Sequence, residues 1–179
     1  QVYPRIMERF GVRQKGDIRA IDNGRSNGAN AATRLYETIT TPHFSFTAVA
    51  ARATAVAAGS LGIPIPHMTV SLCDLAMAYR TIPTSQPWYT AVAFYNPISK
   101  PPRPEIYWLP GHNFGLASAV VNFGRYPELV TISVRCQYAV DAEHYYDDII
   151  IPDVVAAGES GLRVVRESIL MLGPGEQRP

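Results

Sequence analysis

Cysteine, lysine and long hydrophobic runs are all scarce in this chain of 179 residues. The two cysteines, Cys73 and Cys136, are too few for the disulfide framework of a small secreted domain. No run reaches the roughly 20 apolar residues that a membrane span requires, and no secretory signal is visible. We therefore expect an intracellular protein that is neither secreted nor bound to a membrane. The lack of an initial methionine predicts a piece of a longer chain.

Charge is sparse but unevenly distributed. Among the sixteen basic residues only Lys15 and Lys100 are lysines, and arginine suits bidentate contacts with phosphate. Residues 1–60 hold eight Lys/Arg and four Asp/Glu, a charge of +4, whereas residues 141–179 hold three and eight, a charge of −5. Two interpretations stay open. A basic lobe could grip phosphates while an acidic edge holds metal, or the pattern is ordinary scatter of surface charge.

Composition and hydrophobic pattern predict one globular domain of the α+β class, with two lobes. An apolar content of 47% excludes a disordered chain or a coiled coil. The order of the patterns predicts an antiparallel sheet with helices on one face. The predicted strands are 18–22, 68–73, 88–95, 105–109, 143–146 and 149–151. The predicted helices are 47–58, 115–136 with an interruption near Pro127, and 159–172, which ends at Gly173-Pro174.

Three aspartates follow the predicted strands. Asp74 directly follows the strand 68–73, and Asp147 and Asp148 lie at or beside the turn of a hairpin, after Tyr145-Tyr146. Carboxylates that converge on one rim of a sheet could hold two divalent cations for an in-line phosphoryl displacement. Each feature alone has an ordinary explanation. Adjacent aspartates are common in turns, and a single aspartate often caps a helix.

Four ordered blocks of the sequence together resemble reverse transcriptases. The blocks are Lys15 with Ile18–Asp22 and Asn30, then Asp74–Pro83, Asn113–Val120 with Phe123, and Tyr145–Asp148. Roughly residues 10–172 take part, and the similarity is greatest to retrotransposon-type enzymes of the long-terminal-repeat class and their RT-like relatives.

The resemblance implies a polymerase palm at residues 67–179 and a partial fingers region at residues 1–66. It also allows for fingers strands inserted at 88–112. Thumb and RNase H regions are absent from this chain, and we expect them elsewhere in a longer retroelement polyprotein.

The activity implied by the resemblance is RNA-directed DNA synthesis. The partners would be an RNA or DNA template with its primer, and deoxynucleoside triphosphates. Asp74 and Asp147 match ligands of two Mg²⁺ ions, for which Mn²⁺ could substitute, and Asp148 matches a carboxylate that supports them. Tyr146 matches the position that faces the primer end. The primer hydroxyl would attack the α-phosphate while pyrophosphate leaves.

The resemblance also assigns residues to the incoming nucleotide. Tyr79 matches a sugar gate, whose ring leaves no room for a 2′-hydroxyl. Lys15 and Arg19 match residues that clamp the triphosphate. Phe114 and Gly115 match the segment that packs against the nascent base pair and the template. Without the surrounding motifs, a core tyrosine, a solvated basic loop and the start of a helix would account for the same residues.

Two departures from the family pattern keep an alternative open. The third block usually has Phe-Gly or Gln-Gly directly after proline, but here Gly111-His112-Asn113 separates Pro110 from Phe114. The lysine that usually follows the catalytic hairpin is missing after Asp148. The alternative is a degenerate or domesticated RT-like domain that binds nucleic acid or a partner without polymerising. An RNA-templated RNA polymerase shares the two-metal palm, but Tyr79 and the Tyr-Tyr-Asp-Asp sequence favour deoxynucleotides.

Overall fold

The computed structural model describes residues 5–43 and 45–173, apart from the side chains of residues 89 and 90. Pro174, at the predicted end of the last helix, lies outside these residues. The strands are β1 (Met7–Gln14), β2 (Asp17–Asn23), β3 (Met68–Asp74), β4 (Ala91–Asn96), β5 (Arg103–Trp108), β6 (Glu143–Tyr145) and β7 (Asp148–Val154). The α-helices are α1 (Ala29–Ala32), α2 (Phe46–Leu61), α3 (Ala117–Tyr138) and α4 (Ser160–Leu172).

The α+β class is confirmed, and strand pairing is mostly antiparallel. The chain divides into two compact units that interleave along the sequence. Unit 1 comprises residues 1–39 and 78–123, and unit 2 comprises residues 40–77 and 124–179. The predicted partition into fingers and palm at residue 66 stays a prediction.

Unit 1 contains a four-stranded sheet in the order β2-β1-β4-β5. The turn between β1 and β2 is Lys15-Gly16, and both residues have positive φ, 50° and 90°. A two-residue turn of this kind matches the right-handed twist of the strands it joins. β1 pairs with β4 in parallel through Met7 and Val92, both fully buried.

The core of unit 1 forms around that parallel pair. Residues 88–95 were predicted as one strand, but Pro87–Thr90 form a 3₁₀ turn and the strand begins at Ala91. Proline fixes φ at a helical value, which explains why the turn precedes the strand. The buried core residues are Met7, Ala29, Val92, Leu116 and Ala119, with Tyr79 and Leu109 packed against them.

Unit 2 contains an antiparallel sheet in the order β3-β7-β6. Cys73, Ile149 and Ile151 are buried, whereas Val70 and Leu72 of the opposite face are 51% and 63% exposed. α4 packs along β3 and β7. Spacing of three and four residues places its apolar side chains on one face of the helix. Those buried side chains are Leu162, Val165 and Ile169.

The long helix α3 corrects the expected interruption near Pro127. The helix runs without a break through this proline. Proline removes one backbone N–H, whose partner would have been the carbonyl of Phe123. The sequence-based prediction therefore overestimated how far a single proline disrupts a helix of 22 residues.

Candidate functional site

Unit 2 brings the predicted carboxylates together through strand register. β3 and β7 pair in antiparallel fashion so that Asp74 lies opposite Asp148. Opposite residues of such a pair share a face of the sheet and have Cα atoms about 4.5–5.5 Å apart. The pairing continues one step further, because the N–H of Leu75 donates to the carbonyl oxygen of Asp147 at 2.9 Å. We call Asp74, Asp147 and Asp148 the carboxylate rim.

The turn that carries the rim is under backbone strain. Tyr146 and Asp147 form a two-residue turn between β6 and β7, with Tyr145 opposite Asp148. Tyr146 has φ of 56°, which is uncommon for a bulky residue and costs free energy. Its ring packs edge-on to that of Tyr145, with centroids 4.9 Å apart. Asp147 therefore lies in the turn, and Asp148 is the first residue of β7.

Electrostatics at the rim agree with this proximity. Asp148 is exposed, but partial desolvation raises the pKa of its carboxyl above the ordinary value, and the negative charges of Asp147 and Asp74 raise it further. Carboxylates that repel one another in this way favour a bound proton or a bound cation. The rim is thus a place where positive charge stabilises the protein.

The chemistry of these oxygens fits magnesium. Mg²⁺ is a hard cation that proteins bind through one or two carboxylates together with water and substrate phosphates. Asp74 and Asp147 would supply such a pair. Across the described part of the chain, no group of three or more His, Cys, Asp or Glu side chains is arranged as a metal site by itself. Any metal at the rim would therefore depend on ligands from water or substrate.

Unit 1 places Tyr79 and Phe114 in direct contact. Their ring centroids are 5.1 Å apart at 89°, and Tyr79 makes a second edge contact with Phe123 at 5.2 Å. We call Tyr79, Phe114 and Phe123 the aromatic corner. The guanidinium carbon of Arg80 lies 5.3 Å from the centre of the Phe114 ring.

Gly115 lies at a backbone crossing that admits no side chain. A Cβ atom built on Gly115 would lie 1.7 Å from the carbonyl oxygen of Asp22, and one built on Gly24 would lie 2.4 Å from the carbonyl oxygen of Gly115. Real Cβ atoms do not approach backbone this closely, so only glycine fits at either place. The backbone that approaches Gly115 closely is that of Asp22 and Gly24, and the predicted contact of Phe114 and Gly115 with the base pair and template stays a prediction.

The three extra residues of the third block form ordered structure. Gly111 pairs with Pro83 in an isolated antiparallel bridge. The N–H of His112 donates to the carbonyl of Ile82 at 3.1 Å, and that of Thr84 donates to the carbonyl of Pro110 at 2.8 Å. The insertion therefore joins the segment after Tyr79 to the segment before Phe114.

Lys15 and Arg19 both belong to the β1–β2 hairpin. Lys15 lies in its turn, and Arg19 lies on β2 opposite Val12. Both are exposed, and within residues 5–43 and 45–173 neither side chain forms a hydrogen bond or ion pair. Their assignment to the triphosphate stays a prediction.

One buried ion pair was not predicted from the sequence. Arg9 binds Asp22 through two hydrogen bonds, Nε to Oδ1 at 2.6 Å and Nη2 to Oδ2 at 3.0 Å. The side chain of Asp22 is completely buried. An aspartate inside an apolar strand was the available signal, because a buried carboxylate requires a cation or several donors. The hairpin register, which sets Arg9 opposite Asp22, identifies the partner.

The predicted site residues thus fall into two groups, one in each unit. Asp74, Asp147, Asp148 and Tyr146 meet in unit 2, while Tyr79, Phe114 and Gly115 meet in unit 1. No helix in the described residues has both the length and the apolar character needed to cross a bilayer. In comparisons with known proteins, no protein-family model and no curated protein matches this chain.

Proposed function

We propose that this chain is the palm and part of the fingers of an RNA-directed DNA polymerase. One observation carries the proposal, namely the register that sets Asp74 opposite Asp148, with Asp147 bonded through its carbonyl to Leu75. Two carboxylates from separate chain segments, next to a third, would supply the protein's oxygen ligands for two-metal phosphoryl transfer, with water and substrate completing the coordination.

Asp74 and Asp147 would hold the magnesium ions, and Asp148 would add negative charge beside them. When bound, the ions supply charge stabilisation for the attacking and leaving oxygens of an in-line displacement. Ile149, next to Asp148, is fully buried. The start of β7 is therefore anchored in the core.

Tyr79 would act as the gate against ribonucleotides. Its ring has edge contacts on two sides, from Phe114 and Phe123, so it has little freedom to move away from a 2′-hydroxyl. A ring that cannot move excludes by steric overlap. Lys15 and Arg19, on the exposed hairpin, would neutralise charge on the triphosphate.

Primer extension tests the proposal. The chain would be given an RNA template with a DNA primer, Mg²⁺, and either deoxynucleotides or ribonucleotides. We expect extension with deoxynucleotides and a loss of about 10³-fold in Asp147→Asn, since a metal ligand supports several kcal/mol of transition-state stabilisation. Asp141→Asn, which neutralises an exposed aspartate of the same unit away from the rim, should extend within about twofold of the parent.

Three results would decide the assignments. Extension that survives Asp147→Asn removes the metal role. A Tyr79→Ala variant that still rejects ribonucleotides removes the gate, and a parent that prefers ribonucleotides indicates an RNA polymerase.

A degenerate RT-like domain that binds nucleic acid or a partner is the second candidate. The observation in its favour is the third block, where Gly111 and His112 are bonded into the segment 82–84. The same template and primer duplex separates the two functions. Binding of the duplex without any extension, in Mg²⁺ and in Mn²⁺, would favour the second candidate.

A further inference from the structure

Asn30 joins two segments of unit 1 that are far apart in sequence. Its side-chain Nδ2 donates to the carbonyl oxygen of Gly115 at 2.8 Å, and its Oδ1 accepts from the N–H of Ala117 at 2.8 Å. The orientation of the side-chain amide follows from its partners, because the carbonyl of Gly115 can only accept a hydrogen bond and the N–H of Ala117 can only donate one. The backbone N–H of Asn30 donates to the carbonyl of Gly24 at 2.9 Å, and this bond fixes the backbone of Asn30.

The two bonds act at the start of α3. Ala117 is the first residue of that helix, and its N–H has no acceptor within the helix. Asn30 therefore caps α3 from a distant part of the chain, and it holds the carbonyl of Gly115 with the same group. A neutral amide can do both, whereas a carboxylate can only accept.

This clamp has direct consequences for the aromatic corner. Phe114 precedes Gly115, and its ring touches Tyr79. Gly115 cannot shift towards the opposite segment, because the carbonyl of Asp22 already occupies the space where a Cβ would lie. The backbone on the C-terminal side of Phe114 is thus held from two directions, by Asn30 and by the crossing.

We propose that Asn30 is a positioning residue that sets selectivity between deoxy- and ribonucleotides by fixing Phe114 against Tyr79. The proposal rests on the proposed function. It extends that function to a residue that lies in α1 and would not itself touch the nucleotide.

Two variants of Asn30 separate the two bonds. Asn30→Asp keeps an acceptor for Ala117 but replaces the donor with an oxygen that faces the carbonyl of Gly115. Asn30→Ala removes both bonds and introduces no charge. Asn23→Asp is the matched control, because among the described residues the Asn23 side chain only accepts hydrogen bonds, from the N–H groups of Arg25 and Ser26. Aspartate can accept both of these bonds.

The first readout needs no catalysis. Amide hydrogen exchange at Ala117, followed by NMR, should be slow in the parent, in Asn30→Asp and in Asn23→Asp, and faster in Asn30→Ala. Unchanged exchange in Asn30→Ala would overturn the clamp.

The second readout is the ratio of kcat/KM for a deoxynucleotide to that for the matching ribonucleotide. We expect the ratio to fall about tenfold in both Asn30 variants, the change that corresponds to one lost hydrogen bond, and to stay constant in Asn23→Asp. A purely structural role would lower both rates together, so an unchanged ratio would overturn the proposal. A parent chain that extends no primer would remove the proposed function, and the selectivity role with it, whatever the exchange at Ala117.

Discussion

The carboxylate rim and the aromatic corner are built in different ways. The rim follows from a regular ladder, since seven successive residues of β3 pair with β7 and carry Asp74 to Asp148. The corner depends on loops, a backbone crossing and single side chains such as Asn30. A ladder distributes its stabilisation over many bonds, whereas a crossing depends on a few atoms. Substitutions at the crossing should therefore lower the stability of the fold more than substitutions at the rim.

The largest loss of stability is expected from a side chain added at the crossing itself. Gly115→Ala would place a Cβ 1.7 Å from a backbone oxygen of Asp22, and neither backbone segment can move freely. We expect a loss of at least about 3 kcal/mol in the free energy of unfolding, measured by urea denaturation, because overpacking against backbone has no flexible side chain to absorb it.

Gly59→Ala is the control for that substitution. Gly59 lies within α2, and nothing occupies the space around its Cβ position within 4 Å. Alanine there should stabilise the protein by about 1 kcal/mol through helix propensity. Equal effects of the two substitutions would show that the crossing is looser than its atoms indicate.

The next largest loss of stability concerns β2, the strand that supplies the other side of the crossing. Arg9→Ala would leave the carboxylate of Asp22 buried without its cation. Loss of one partner of a buried pair costs about 3–5 kcal/mol. Because Arg9 is 19% exposed, water can partly replace it, and we expect about 2 kcal/mol. Arg13→Ala, on the same strand and exposed, should change stability by less than about 0.5 kcal/mol. A loss as small in Arg9→Ala as in Arg13→Ala would contradict the structural role of the pair.

How far the sequence could predict each region follows from this difference. The hairpin around Asp147 and the strand before Asp74 were predictable, because alternation and turn residues are local signals. The order of the elements predicted that these carboxylates converge on one rim, and the register sets Asp74 opposite Asp148. The contact of Asn30 with Gly115 spans 85 residues, and no local pattern specifies such a partner. The interleaving of the two units along the sequence likewise depends on contacts between distant residues, which a local sequence pattern does not specify.

The turn of the rim offers a smaller test. Tyr146 has positive φ, which glycine adopts readily and alanine does not. Both Tyr146→Gly and Tyr146→Ala lose the edge contact with Tyr145, so that loss cancels when they are compared. We expect the glycine variant to be more stable than the alanine variant by about 1 kcal/mol in urea denaturation. The reverse order would mean that the turn does not hold residue 146 in the left-handed region.

The smallest effect concerns charge at the rim. The pKa of Asp148 is raised in the folded protein by partial desolvation and by Asp147 and Asp74, so the folded state holds its proton more tightly than the unfolded state. The stabilisation that this proton gives is fully present at a pH below 3.8, the ordinary pKa of the group. It is lost as the pH rises through the higher pKa of the folded state. At pH 7 the Asp148 carboxylate is therefore unfavourable, and Asp148→Asn should raise the Tm by about 2 °C in EDTA, a small change because solvent screens the site.

That gain in Tm should disappear at pH 3, where the parent carboxyl is protonated and therefore uncharged, like the asparagine. The exposed Asp141→Asn variant controls for the change in net charge. Magnesium should narrow the gap at pH 7 by raising the Tm of the parent more than that of Asp148→Asn, because a bound cation relieves the repulsion that the asparagine has already removed. A gain that persists at pH 3 would assign the effect to packing at the start of β7. A gap that magnesium leaves unchanged would mean that the rim, although brought together by its ladder, does not bind the ion.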